Sequence, residues 1–431
     1  MKLITPQIRF DSFKKNWDLL SIKDLALVLA GYAFSSKNMS LVRKKYQLIK
    51  MSNVYQNNLR LDRNPSYWDE VNDRQKKYLI KKNDILITLT GTVGKTDYGY
   101  SVQIKESDKY LLNQRLVLLR EKTDVSDSGF INNLIKTSKF RYYFFSESKG
   151  GTGNQANVGI DSLKDIKLNI PSLPEQQKIA DFLSTVDNKI QTLTKKKELL
   201  ESYKKGVMQQ IFKQEIRFRK EDGSDYPEWE EKRFEELYKF VRTNSYSRDK
   251  LNYTAGAIYN IHYGDIHTKF KSRFELNDEV VPFINSVVDI SRYAKEDYLE
   301  KGDLVIADAS EDYNDIGKTI EVVNIGGKKV LAGLHTFLAK LKSNKIVVGF
   351  ISHYVMSWDY RYQVMRIAQG TKVLSISKSR LSELKLKLPC TKEQTKIANF
   401  LTAIDDKINV VARQIDKLKE WKKGLLQQMF V

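Results

Sequence analysis

The chain has 431 residues, enough for two to four domains with their own cores. Its formal net charge of +20 favours a polyanionic partner, and its single cysteine, Cys390, excludes an internal disulfide and fits a reducing compartment. One cysteine and four histidines (His262, His267, His335 and His353) without an HExxH pattern argue against a structural zinc site. No apolar run approaches the roughly 18 residues that span a bilayer, and the first residues lack the apolar core of a signal peptide, so a cytoplasmic protein with no membrane partner is expected.

In chain order, residues 1–173 read as a globular segment. Ile8-Arg9-Phe10 leads to Trp17, then Ile22 and Leu25. The loop Gly31–Lys45 carries Lys37, Arg43, Lys44 and Lys45, interleaved with Tyr32, Phe34 and Tyr46. Short runs rich in Val, Ile, Leu and Tyr, such as Tyr46–Ile49, Asp84–Ile87 and Leu116–Leu119, read as strands. Gly94-Lys95-Thr96 reads as a turn whose lysine can reach a backbone phosphate. Asn113-Gln114-Arg115 offers side chains able to bond bidentately to adenine or guanine edges. Phe130–Ser148 reads as a helix, and Asn154 and Gln155 follow the glycine-rich turn Gly150–Gly153.

The stretch Pro174–Phe212 organises the chain. Steps of four and three pick out Ile179, Leu183, Val186, Ile190, Leu193, Leu200, Val207 and Ile211, the 3.5-residue period of a left-handed coiled coil. Lys197 and Lys204 interrupt this seam, and their amines are expected to snorkel to water; docking of an acidic partner helix is the other reading. Ser172-Leu173-Pro174-Glu175 resembles a capping box. The stretch recurs without a gap as Lys392–Phe430, Glu175 mapping to Glu393 and Gly206 to Gly424. Its seam is Ile397, Leu401, Ile404, Ile408, Val411, Ile415, Leu418, Lys422, Leu425 and Met429, interrupted by Lys422 alone, and Cys390-Thr391-Lys392-Glu393 makes a weaker cap.

The segment between the two helices repeats the first in outline. Ile216-Arg217-Phe218 leads to Trp229, Phe234 and Leu237, with the tryptophan-to-leucine spacing unchanged. Ile258–Ile261 matches Tyr46–Ile49, Asp303–Ile306 matches Asp84–Ile87, and Gly317-Lys318-Thr319 matches Gly94-Lys95-Thr96. Phe337–Lys340 is paired with Leu116–Leu119, Gly370-Thr371 with Gly151-Thr152, and Val347–Ile367 reads as a helix. Arg242, Asn244, Arg248, Tyr263, Lys318 and Lys372 are this segment's candidate binding residues, comparable with those of the first. Each segment is expected to be a mixed α/β domain on a twisted, partly barrel-like sheet, with specificity in its loops.

Catalytic motifs are weak. A P-loop needs a glycine where Leu89 and Asp312 stand. Asn64-Pro65-Ser66-Tyr67 lacks the second proline of an amino-methyltransferase signature, and Glu383-Leu384-Lys385, like Asp165-Ile166-Lys167, reads as an exposed strand rather than a nuclease tail. His262 and His267 beside Asp265 read as surface or nucleic-acid contacts. No catalytic residue and no metal ligand is assigned.

The order unit–helix–unit–helix, with LPEQQKIADFL and KKGVMQQIF repeated as KEQTKIANFL and KKGLLQQMF, resembles the specificity subunit of type I restriction–modification enzymes over essentially the whole chain. The resemblance implies an α/β (α+β) fold: target recognition domains at 1–173 and 214–390, and spacer helices at 174–213 and 391–431 that pair antiparallel with a pseudo-twofold. It implies a non-catalytic chain that binds double-stranded DNA. It further implies two modification subunits that carry S-adenosylmethionine and methylate adenine N6, and two restriction subunits that add ATP- and Mg-dependent translocation and cleavage. A helix of about 39 residues is about 58 Å long, enough to hold two readers at half-sites roughly 34–36 Å apart. Two other readings stay open: a self-contained DNA methyltransferase or nuclease, for which no cofactor site is found, and a coiled-coil scaffold with incidental DNA binding.

Overall fold

The computed structural model describes residues 5–150 and 154–431. Gly151-Thr152, matched above to Gly370-Thr371, therefore lies outside the described residues. The chain forms two compact units, Met1–Lys195 with Ala412–Val431 and Lys196–Val411. Both boundaries cut through the long helices rather than falling at their ends. Each unit is thus a globular body plus two helix segments, whereas the unit–helix–unit–helix pattern of the sequence takes each helix whole.

In the first unit the main sheet is antiparallel, in the order Ala26–Ala30, Leu116–Glu121, Ile85–Thr88, Ser101–Gln103. Its central strands are buried on both faces, which explains their unbroken apolar runs. A smaller sheet holds Tyr110–Leu112, Tyr46–Ile49 and Tyr67–Trp68, and a third holds Ser148–Gly150, Gln155–Val158 and Thr90–Thr92. At the base, Asp18–Ser21 pairs with Lys167–Ile170, which leads straight into the first long helix. The framework is therefore several small sheets rather than one rolled one.

The second unit repeats this plan. Its main sheet runs Tyr238–Val241, Thr336–Leu341, Leu304–Ala307, Thr319–Asn324, with Arg273–Glu275 added in parallel at the edge. Glu230–Arg233 pairs with Lys385–Leu388 at the base. The strand correspondence needs one correction. Leu118 faces Leu86 as Leu338 faces Val305, so Leu116–Leu119 matches Thr336–Ala339, one residue earlier than the sequence pairing. A one-residue slip exchanges the two faces of a strand, and two continuous apolar runs cannot reveal it. The turn before each strand agrees: Arg115 and His335 are both left-handed, with φ of 68° and 53°.

The single helices expected at Phe130–Ser148 and Val347–Ile367 are each two. Ser128–Leu134 and Ser138–Ser146 are separated where Thr137 caps the second by accepting the Phe140 N–H. Ile351–Tyr354 and Trp358–Ile367 break at Ser357, which accepts the Tyr360 N–H. A hydroxyl inside a helix-like pattern acts here as an N-cap and restarts the helix.

The long helices run Leu173–Phe212 and Thr391–Gln428. Of the seam positions, Ile190, Leu200, Val207, Ile408 and Leu418 are half-buried and the other apolar ones are buried. Lys204 does not snorkel, and Lys422 is paired in the same way. In the second unit Lys204 Nζ meets both oxygens of Asp405 at 2.7 Å; in the first, Lys422 Nζ meets those of Asp187 at 2.6 and 2.7 Å. The two pairs are equivalent under the repeat, since Lys204 maps to Lys422 and Asp187 to Asp405. Lys197 stays near the surface beside Glu201 of its own helix.

Neither helix starts with a capping box. Glu175 turns inward, accepting Arg9 Nε and Nη2 at 2.7 and 2.8 Å and Trp17 Nε1 at 3.3 Å. Glu393 takes Arg217 and Trp229 in the same way. The next residue ties the helix to the unit. Gln176 donates to Pro171 O and Val125 O and accepts from the Asp127 N–H, while Gln394 donates to Pro389 O and Lys345 O and accepts from the Val347 N–H. The Glu-Gln dipeptide of both repeats is a buried joint between helix and globular body.

Candidate nucleic-acid interface

In the first unit the loop from Gly31 to Lys45 is pinned at its root. The Gly31 N–H donates to Leu116 O, the Tyr32 N–H to Leu112 O, and the Gln114 N–H to Tyr32 O. A Cβ on Gly31 would sit 2.0 Å from the Asn113 carbonyl oxygen, so this close approach requires glycine. The loop aromatics turn inward: Tyr32 packs on Phe34 and Tyr78, and Phe34 on Trp68. Phe34 and Tyr46 are buried and anchor the loop rather than offering rings to bases.

Lys37, Arg43, Lys44 and Lys45 are left on the outside. Lys44 is 3.1 Å from Asp69, and Lys45 lies over the Tyr46 ring. Between the cations Leu41 and Val42 are 83% and 73% exposed, held by Ser40 Oγ, which accepts the Val42 N–H and donates to its carbonyl. This apolar tip did not stand out as a contact candidate by residue type. Its signal is two large apolar residues within a basic loop, a pattern suited to a base edge or sugar.

A second edge forms where Thr90–Thr92 pairs with Gln155–Val158. Asp97 closes the loop between by accepting from Thr92 N and Oγ1, and Gly94 takes a φ of 73°. The Val93 N–H donates to Asn154 O, so Lys95, Asn154 and Gln155 share one exposed rim. In Asn113-Gln114-Arg115, Gln114 and Arg115 are exposed, whereas Asn113 is buried and cannot reach a base from there.

The second unit uses its candidates differently. Asn244 is buried, donating to Asn260 Oδ1 and accepting from the Tyr246 N–H. Arg248 forks onto buried Asp265 at 2.7 and 2.9 Å, and Lys269 adds a third contact at 2.9 Å. Burial pushes the Asp265 carboxyl up, but these cations outweigh it and hold it below its ordinary value. Lys318 donates to His267 O and faces Asp315, unlike exposed Lys95. Arg242 donates to Arg292 O. Tyr263 packs among the rings of His262, His267 and His335. Burial, then nearby Arg248, lowers His262 to about 4, so it is neutral at pH 7 and its Nδ1 accepts the Gly264 N–H. Lys372 is exposed. Thus Asn244 is corrected to an internal structural role, Asn113 to a buried position where its Oδ1 has no partner among the described residues, and Arg248 and Lys318 to scaffold contacts with some of each side chain outside. Among the described residues, no cluster of three or more His, Cys, Asp or Glu could hold a metal.

The family model for the type I restriction modification DNA specificity domain matches twice, at residues 14–202 and 226–420, one copy for each repeat. The chain belongs to this family. It is similar to the type I restriction enzyme MjaVIII specificity subunit of Methanocaldococcus jannaschii, 25% identical over 371 residues that span 81% of this chain and 79% of that one. A second protein of that organism, provisionally named the type I restriction enzyme MjaX specificity subunit, is 24% identical over 423 residues, 96% and 92% of the two chains. The fold resembles the crystal structure of the S subunit of a type I restriction–modification system from M. genitalium, with a TM-score of 0.58, 16% identity and 99% of each chain covered. A chain from a structure of type I complex assembly and conformational transition gives a TM-score of 0.52 at 13% identity, covering 95% and 96%. No helix of the described residues is long and apolar enough to cross a membrane.

Proposed function

We propose that this chain is the DNA-reading, non-catalytic subunit of a type I restriction–modification complex, and that its two units read two different half-sites of a split, asymmetric target. The observation that carries the reading is the double repeat within a specificity family: one framework, twice, with unlike exposed loops. In the first unit Lys37, Arg43, Lys45, Lys95, Gln114, Arg115, Asn154 and Gln155 would meet DNA, with the Leu41–Val42 tip among them. In the second, Arg242, Tyr263, Lys372 and the outer edges of Arg248 and Lys318 would do so. The net charge of +20 supports a phosphate-backbone component. Two modification subunits would supply S-adenosylmethionine and transfer the methyl group to adenine N6. Two restriction subunits would supply ATP- and Mg-dependent cleavage.

A footprint of the chain on its target should protect two half-sites around an unprotected gap; one continuous protected block counts against the reading. Incubating the purified chain alone with DNA and labelled S-adenosylmethionine should transfer no methyl group. Transfer without partners would establish the enzyme reading instead.

A further inference from the structure

In the first unit a cleft of about 670 Å³ lies between the helix Ser138–Ser146 and the second long helix, a volume in the range of small-ligand pockets. Lys136, Arg141 and Lys423 line it, and among the described residues no carboxylate does. Arg141 reaches only the carbonyls of Thr96 and Gly99, both at 3.4 Å, and lies over the Phe145 ring at 4.8 Å. Lys136 keeps some solvent contact, but its amine is packed round by protein and donates no hydrogen bond among the described residues. Burial, then neighbouring Lys422, pushes that amine down to about 8 against the opposing pull of Asp187, which is itself paired with Lys422.

The second unit keeps two of the three cations at the same place, Arg361 for Arg141 and Lys205 for Lys423, and loses the third. Its two short helices break at Ser357 as the first unit's break at Thr137, so Lys136 matches Met356, Ser138 matches Trp358 and Lys139 matches Asp359. There Gln209 Oε1 accepts the Trp358 N–H at 2.9 Å. In the first unit the matching glutamine, Gln427, lines the cleft, and the Ser138 N–H has no acceptor among the described residues. Exposed first-turn amides beside convergent cations suit an oxyanion, and the Arg141–Phe145 stack with Tyr142, 70% exposed, offers a flat wall.

We propose that this cleft binds a phosphate-bearing ligand of about mononucleotide size, the phosphate between Lys136, Lys423 and the Ser138 amide and the rest against Tyr142 and Phe145. The phosphate could come from a free nucleotide or from a nucleic-acid strand. The proposal does not rest on sequence-specific reading.

The test is calorimetric titration of the whole chain with AMP, inorganic phosphate, adenosine and a short duplex of arbitrary sequence, repeated with Lys136→Met and Lys423→Gln variants of unchanged melting temperature. AMP should bind one per chain and adenosine should not. Each variant should weaken AMP binding by roughly tenfold, the loss expected for one charge-assisted contact. If AMP and phosphate fail to bind but either variant weakens duplex binding by a similar factor, the ligand is a strand phosphate. Adenosine binding as tightly as AMP, or no response of AMP, phosphate and duplex binding to either variant, overturns the proposal.

Discussion

Glu175 and Glu393 look like solvent-facing residues near helix starts, yet each is almost wholly buried under an arginine and a tryptophan from the start of its unit. Removing the arginine leaves a carboxylate in the core with no counter-charge, which typically costs 3–5 kcal/mol. Arg9→Ala and Arg217→Ala should each destabilise by about that much in chemical unfolding. A loss below about 1 kcal/mol would show that the joint is incidental. The landmarks Ile8-Arg9-Phe10 and Glu175 are both visible in the sequence, but their meeting is not, because more than a hundred and sixty positions separate them. His353 gives a pH effect at the same scale. Burial, then Lys204 and Arg273, lowers it from 6.5 to about 3, so it folds neutral, with Nε2 3.2 Å from Thr402 Oγ1. A depressed histidine binds its proton more readily in the unfolded chain. Its contribution to stability is present above pH 6.5 and is lost as pH falls from there towards 3. His353→Asn, the residue at the matching position Asn133, should flatten the fall of melting temperature over that window; an unchanged slope would contradict this.

At the scale of elements, the heptads disclosed which face of each long helix is buried, and the burial of Ile179, Leu183, Ile397 and Leu401 follows that face. They could not disclose what crosses from the other helix, since a period fixes a face and not a register. Lys204 and Lys422 therefore read as interruptions, whereas each is half of an ion pair across the seam. Exchanging the charges tests this: Lys204→Asp or Asp405→Lys alone should destabilise, and the double exchange should recover most of the loss. The coupling in a double-mutant cycle should be about 1 kcal/mol, more than an exposed pair gives, because the lysine is largely buried. Additive effects would contradict the pairing. The main strands were legible from their apolar runs. The split helices were not, because Thr137 and Ser357 fit a helix pattern as well as they fit a cap.

At the scale of the whole molecule, the repeat alone carried the fold and the family, and the loops carried the least. Residue type marked Asn113, Asn244, Arg248 and Lys318 as equal to Lys45 and Lys95. Burial and internal hydrogen bonds divide them, because an amide or guanidinium suited to a base edge is equally suited to a buried carbonyl or carboxylate. Deleting Leu41–Lys45 should therefore abolish recognition of one half-site and leave folding and the second half-site intact; a scaffold with incidental DNA binding would lose nothing. The most direct measurement is a map of methylated adenines in the source cell, with the gene intact, deleted, or carrying that deletion. Two unlike sequence blocks at a fixed separation should appear with the intact gene, vanish with the full deletion, and lose only the first unit's block requirement with the shortened loop. A single uninterrupted motif, or a map indifferent to the gene, would contradict a two-headed reader.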